Sequence, residues 1–389
     1  LIDVDREVIY EVNLRATGPT HDFKAVESRV DAIRALGATT VWLMPVYPVG
    51  KERSAGGLGS PYAVADYTKP NPEFGTMEDF RRLVKKVHAR KMKVVLDWVA
   101  NHTAWDHPWI SQHRDFYTLG PDGKPIIPPG TQWNDVAELN YDSKPMRSAM
   151  LSAMKGWIAE GVDGFRCDYT DGVPLDFWKE AIAACRASTR KPLLFLAEGE
   201  KKGLYGAGFD LTYDWRLFTL AKSLVKGQRP ATDFVPALRS RSQATLRFIT
   251  NHDEYAWNGS PAEQCGSAAK ARKAMAIIGS APGGALLLVT GQEAEVEGRI
   301  PFFDRSDVPF PSQPTEATRA LSHLAAVHAR AGGGLMYEDF STASVLKYRA
   351  KRKGYQLDVM VNLTDQMQTV PGEAEPAKPD EVRITESHG

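Results

Sequence analysis

A chain of 389 residues can bury a large core and still leave room for a smaller second module. Its 48 Lys and Arg balance 48 Asp and Glu, so no net field draws it to nucleic acid or an anionic membrane, and an uncharged substrate is favoured. Aromatics make up 10% of the residues, 9 of them Trp; most must pack in the core, and the surplus suits the flat apolar faces of a sugar-binding cleft. In chain order, apolar runs predict strands at residues 8–14, 39–46 and 93–98, with helical periodicity between them at 23–36 and 76–90. Further on, helices are expected at 143–160 and 174–187, and strands at 162–168 and 193–198. After these come strands near 209–213, at 247–252 and at 286–290, with a helix at 268–278 before the last. Pro174 stands where a helix begins, and Gly37 and Gly161 follow helices as C-terminal caps.

Alternating βα units imply parallel strands, in an open doubly wound sheet or a closed barrel. Spacing favours the barrel, which spends roughly 31 residues on each unit. Asp168 and Glu198 lie one unit apart, and Glu198 and Asp253 lie nearly two. Between Asp97 and Asp168 there is one unit plus an excess rich in Pro and Gly, about Thr103 to Tyr141. The expected fold is therefore a (β/α)8 TIM barrel over 1–102 and 142–330, with an irregular inserted lid at 103–141. Beyond Ala331, alternation at 344–348 and 356–362 predicts a small antiparallel β domain over 331–389, whose last stretch, rich in Glu, Pro and Lys, is expected to be loosely ordered. Cys167, Cys185 and Cys265 lack disulfide or metal-ligand spacing and read as buried thiols. No apolar run reaches the ~20 residues of a membrane span. The first residue is Leu1 rather than Met, which is compatible with a removed leader; the compartment is left open, with an extracellular or periplasmic setting favoured over the cytoplasm.

Several strands end in a polar residue, where barrel enzymes keep their chemistry. Period-two alternation puts Gly164, Arg166 and Asp168 on the inward face, so Arg166 lies beside Asp168 and holds its carboxylate ionised. A cross-bracing ion pair is the plain alternative. Glu198 follows only apolar residues, so desolvation raises its pKa towards that of a general acid. Two carboxyls on adjacent strands suit a retaining glycosidase, and Asp253 adds a third charge that stabilises a cationic sugar ring. Three acids also suit a hard cation, but Mg2+ sites usually accompany phosphate recognition, and Gly56-Gly57-Leu58-Gly59 does not clearly open a helix as a phosphate loop does.

Asp97-Trp98-Val99-Ala100-Asn101-His102, Gly164-Phe165-Arg166-Cys167-Asp168, Glu198 and Asn251-His252-Asp253 occur in the order and spacing of the α-amylase superfamily, which the chain resembles from about Val8 to Gln292. The resemblance implies that Asp168 is the nucleophile, Glu198 the acid/base and Asp253 the transition-state stabiliser. It further implies that Arg166 positions the nucleophile, that His102 and His252 hydrogen-bond the sugar, and that Tyr62 stacks under it. Asp97 reads as a strand-end support. Typical members carry Lys-His at the positions held here by Asp171 and Gly172. That departure disfavours the usual structural calcium, although Asn101 and Glu138 remain as oxygen donors, and it leaves Asp171 either shaping the leaving-group side or solvated. The chemistry itself calls for no cofactor. The expected enzyme cleaves internal α-1,4 bonds of starch-like α-glucans. A 4-α-glucanotransferase or α-glucosidase is the nearest rival, and a non-catalytic glycan-binding or accessory protein a remote one. Oligomeric state, bond preference and chain length are not legible.

Overall fold

The computed structural model describes residues 2–389. Eight parallel strands close a barrel: β1 (Val8–Val12), β2 (Thr40–Leu43), β3 (Lys93–Trp98), then β6 (Gly164–Cys167), β7 (Leu194–Ala197), β8 (Leu211–Tyr213), β9 (Thr245–Arg247) and β10 (Gly284–Val289). The short strands β4 (His102–Ala104) and β5 (Val136–Glu138) pair antiparallel within the insertion after β3. Alternation along the strands separates two layers of core. Ile9, Val95, Leu194, Leu196, Leu246 and Leu287 fill the barrel interior, whereas Val8, Val94, Leu96, Phe165, Phe195 and Leu286 pack outward on the helices. Phe165 and Cys167 thus face the helices and Arg166 faces in.

The helices start where the sequence supplies caps. Asp22, Thr76 and Ser143 each accept a backbone N–H at the head of Phe23–Ala35, Met77–Ala89 and Lys144–Ala159, and Thr76 with Asp79 forms a capping box. Gly37 and Gly161 adopt positive φ just past two of these helices. One strand differs from expectation. Residues 247–252 were expected to be extended, yet β9 stops at Arg247, and His252–Asn258 is a helix. The cause is Asn251, whose side chain accepts the Glu254 N–H and so caps a helix that begins at the polar end of the apolar run.

Beyond the helix Glu316–Ala331 a four-stranded antiparallel sheet forms from β11 (Met336–Asp339), β12 (Val345–Arg352), β13 (Tyr355–Asn362) and β14 (Val382–Ser387). Leu346, Tyr348 and Ala350 on one face of β12 join the barrel's outer core, and the Tyr348 hydroxyl donates to Ser280 O at 3.0 Å. The last stretch, expected to be loosely ordered, contains β14, which pairs with β13 from Gln356↔Ser387 to Val361↔Val382. Its polar composition is that of an edge strand with one wet face, not of disorder.

The barrel strands approach closely where β6 starts. A Cβ on Gly164 would overlap the carbonyl oxygen of Leu194 on β7, and backbone cannot step aside. Gly164→Ala is therefore expected to cost about 3 kcal/mol or more, read as a lowered urea midpoint; an unchanged midpoint would refute this account of the β6–β7 contact.

Candidate active site

The register of β3 against β6 sets Asp97 beside Arg166, and both side chains are fully buried. Arg166 Nη1 donates to Asp97 Oδ1 at 3.0 Å and to Asp168 Oδ1 at 2.9 Å, while Nε donates to the Tyr213 hydroxyl at 3.0 Å. Nη2 stands 3.2 Å from Glu198 Oε2 without the alignment of a hydrogen bond, and no other group satisfies it. The guanidinium carbon lies 5.0 Å from the Trp42 ring centre and 5.9 Å from that of Tyr62, so aromatic faces surround the charge. Asp97 is tied further by the Trp42 Nε1–H at 3.2 Å and the Tyr62 hydroxyl at 2.9 Å. It is the buried support expected of it, and Trp42 and Tyr213 are partners that the sequence did not reveal.

Asp168 and Glu198 stand one residue past the ends of β6 and β7. Asp168 N–H donates to Trp98 O at 2.9 Å and Glu198 N–H to Cys167 O at 3.0 Å, which extends the ladders by a step. Glu198 Oε2 accepts the Tyr169 N–H at 2.8 Å, and the Glu198 carbonyl accepts the Thr170 hydroxyl at 2.8 Å. Tyr169 takes a left-handed φ of 41°, a conformation that costs a non-glycine residue on the order of 1 kcal/mol. The bond to Glu198 is one of the contacts that hold it there.

Burial drives the pKa values of this group upward. Glu198 is pushed to about 8 by desolvation, which the nearby Arg166 only partly offsets and to which Asp168 and Asp253 add. Asp168 and Asp97 are each pushed to about 6 by desolvation, with Arg166 opposing. The two aspartates share one guanidinium, so the step near 6 belongs to them jointly. The order follows from the geometry: Arg166 hydrogen-bonds both aspartates and not the glutamate.

The two histidines differ in charge. Burial lowers the pKa of His102 to about 4, and its Nδ1 faces the Asn101 amide nitrogen at 3.2 Å. It is a neutral ring with the proton on Nε2. For His252, burial is outweighed by Asp253 and Glu11, and the pKa rises to about 9. Its Nε2 lies 2.8 Å from the Tyr62 hydroxyl and 3.3 Å from Asp253 Oδ2, with the Tyr62 ring stacked at 5.4 Å and 17°.

A cleft of about 560 Å³ opens above these groups, lined by Tyr62, His102, Asp168, Glu198, His252 and Asp253. The structure thus gathers six of the seven sequence-derived site residues at one surface, with Arg166 beneath them. It also adds Trp133 from the insertion and Trp257 from the helix that carries Asp253, which are 39% and 53% exposed. Trp133 makes T-shaped contacts with Tyr169 and His102, and Trp257 with Phe302 and Phe303. In the sequence a loop Trp looks the same whether it packs or binds. Glu11 was also missed, although an acid within Ile9-Tyr10-Glu11-Val12 is the same signal that revealed Arg166. The Asn101 amide nitrogen faces His102, and desolvation raises the half-buried Glu138. Among the described residues no three His, Cys, Asp or Glu side chains come together as a metal site.

Residues 11–124 match the family model of the α-amylase catalytic domain. The fold is similar to the crystal structure of an α-amylase from Lactobacillus plantarum, with a TM-score of 0.87, 26% identity and 99% of each chain covered. The sequence is 29% identical over 311 residues to the α-amylase MalA of Haloarcula japonica, covering 75% of this chain and 44% of that protein. It is 30% identical over 247 residues to an α-1,4-glucan:maltose-1-phosphate maltosyltransferase of Corynebacterium pseudotuberculosis, covering 55% of this chain and 36% of that one. The chain therefore spans less than half the length of these two relatives.

Asp171 is exposed to solvent and does not line the cleft. Its carboxylate accepts the N–H groups of Glu200 and Lys201, each at 3.0 Å, and ties down the segment that follows Glu198. A Cβ on Gly199 would strike Asp171 and Thr170, and one on Gly172 would strike Asn101 and the Tyr169 ring, so both glycines are required by close approach. In Asp171→Ala the amides of Glu200 and Lys201 are expected to exchange with solvent deuterium roughly tenfold faster. Unchanged exchange at both would show that the carboxylate does not hold the segment.

Proposed function

We propose that the chain is a glycoside hydrolase of the α-amylase superfamily that cleaves internal α-1,4-glucosidic bonds of starch-like α-glucans by double displacement. The observation that carries the reading is the unequal treatment of two carboxyls at neighbouring strand ends. Asp168 is hydrogen-bonded by Arg166, whereas desolvation pushes Glu198 up to about 8. A site that keeps one carboxylate and one carboxylic acid at neutral pH holds a nucleophile and a proton donor together.

In this mechanism Glu198 gives its proton to the glycosidic oxygen while Asp168 attacks the anomeric carbon. The carbon–oxygen bond breaks, the leaving chain departs as an alcohol, and a glycosyl ester forms on Asp168. Water then enters. Glu198, now a carboxylate, takes its proton, the hydroxyl oxygen bonds to the anomeric carbon, and the Asp168 carboxylate is released. Arg166 Nη1 occupies Asp168 Oδ1, which leaves Oδ2 to attack. Asp253, the most exposed of the three acids at 39%, faces the positive charge that builds on the sugar ring. Tyr62 forms the floor, and His102 offers Nε2–H as a neutral donor. Trp133, beside Tyr169, suits the leaving-group side, and Trp257, on the Asp253 helix, suits the retained side. Both give the flat apolar faces that sugar rings stack on.

A transfer reaction uses the same ester, captured by a sugar hydroxyl instead of water. The similarity to a maltosyltransferase makes that the second reading, with an α-glucosidase beside it. A time course on maltoheptaose with products resolved by length separates them. Shorter fragments from internal cuts are expected. Products longer than seven glucoses would show transfer, and stepwise loss of glucose an exo-acting glucosidase.

Glu198→Gln is expected to lower turnover on the order of 100- to 10,000-fold while maltoheptaose binding persists; a near-normal rate would end the acid/base assignment. The active form has Asp168 ionised and Glu198 protonated. Activity should therefore rise as pH passes about 6 and fall as it passes about 8. A rate that keeps rising through pH 9 would contradict this pairing.

A further inference from the structure

Glu11 is a fully buried carboxylate on the inward face of β1 and has no part in the steps above. Its backbone carbonyl accepts the N–H and hydroxyl of Thr290, at the end of β10, both at 3.0 Å. Its side chain reaches past that strand to the segment after β9. There Oε1 hydrogen-bonds His252 Nδ1, and Oε2 accepts the His252 backbone N–H at 3.3 Å. Both carboxylate oxygens thus serve one residue. From His252 Nε2 the contacts continue to the Tyr62 hydroxyl at 2.8 Å, from Tyr62 to Asp97 Oδ2 at 2.9 Å, and from Asp97 Oδ1 to Arg166 at 3.0 Å.

We propose that Glu11 is a positioning residue, which acts through His252 to set the direction of the hydrogen bonds running through Tyr62 to Asp97 and so fixes the sugar platform beside Asp168. This rests on the reading that the cleft binds sugar. Tyr62 has a single hydroxyl proton, and ionised Asp97 can only accept it. Tyr62 must therefore accept from His252 Nε2, which has to carry a proton. Nδ1 faces the Glu11 carboxylate and carries one too, so the ring is an imidazolium. The acids around the ring fit that state. Asp253 on its own helix and Glu11 on β1 are acids. Tyr62, after β2, accepts, and Asp97 on β3 takes the Tyr62 proton. Arg166 on β6 opposes the charge, but its own charge is engaged by Asp97 and Asp168. With Glu11 absent, burial favours the neutral ring, Nε2 need not donate, and the Tyr62 hydroxyl loses its fixed direction.

The experiment follows the His252 ring by nitrogen-15 NMR in the full-length protein, with His252→Gln identifying the signals. In the parent protein both ring nitrogens are expected to stay protonated through neutral pH and to titrate at about 9. Glu11→Gln is expected to move that titration down and to lower kcat/KM on maltoheptaose on the order of 10- to 100-fold, mostly in kcat. Glu11→Gln/His252→Gln is expected to be no slower than His252→Gln alone, because Glu11 acts through that ring. A parent His252 that titrates near 6.5, or a titration unmoved in Glu11→Gln, overturns the proposal, as do fully additive rate losses. If Glu11→Gln does not fold, the parent titration decides. If the parent is inactive on α-glucans, the functional reading fails, while the titration still tests Glu11.

Discussion

A guanidinium with no access to water sits at the centre of this molecule, and the remaining site groups are arranged around its charge. Arg166 is fully buried on β6 and reaches Asp97, Asp168 and Tyr213 with hydrogen bonds at 2.9 to 3.0 Å. A buried charge is tolerated only when paired and hydrogen-bonded. Here the barrel register supplies the partners, since Asp97 pairs with Arg166 across β3 and β6. A second cation, His252, is matched by Glu11 and Asp253. Tyr62 links the two clusters by bonding both His252 and Asp97. Two cations thus stand among five carboxyls: Asp97, Asp168, Glu198, Glu11 and Asp253. Glu198 is pushed to about 8, above Asp97 and Asp168 at about 6. Burial keeps the proton on Glu198, and the charge of Arg166 only partly offsets it.

Much of this was legible in the sequence because barrel strands expose their chemistry by contrast. An Arg and an Asp at alternate positions of an apolar run, or a Glu after five apolar residues, have few places to be except the barrel mouth. Period-two alternation then settled which way Arg166 points. Hydropathy alone failed at residues 247–252. Phe248 and Ile249 are apolar enough for a strand, but Asn251 caps a helix at that point, and a cap is a backbone event that apolar content does not encode. The tail failed in the opposite sense. Its polar residues resembled a disordered segment, yet β14 needs only one partner and a wet face. Glu11, Trp42 and Tyr213 carry no motif of their own. They become functional through three-dimensional neighbours more than 30 residues away, which no local spacing reveals.

The replacement of a Lys-His pair by Asp171 and Gly172 has a structural logic. Asp171 receives two backbone N–H groups from the segment after Glu198, and Gly199 lacks the Cβ that would strike Thr170 and Asp171 and keep the two loops apart. The loops after β6 and β7 are thereby locked to each other, beside the left-handed Tyr169 whose N–H also holds Glu198. Preorganisation of this kind keeps Asp168 and Glu198 in register.

The central claim, that Asp168 forms the covalent bond to sugar, is tested most directly by trapping the ester. The protein would be incubated with a fluorinated α-glucosyl fluoride whose glycosyl-enzyme decays slowly, then digested and analysed by mass spectrometry. The expected result is one glycosyl adduct on the peptide containing Gly164-Phe165-Arg166-Cys167-Asp168, localised to Asp168 and absent from Asp168→Asn. An adduct on another carboxylate, or turnover that inverts the anomeric configuration with no adduct, would contradict it.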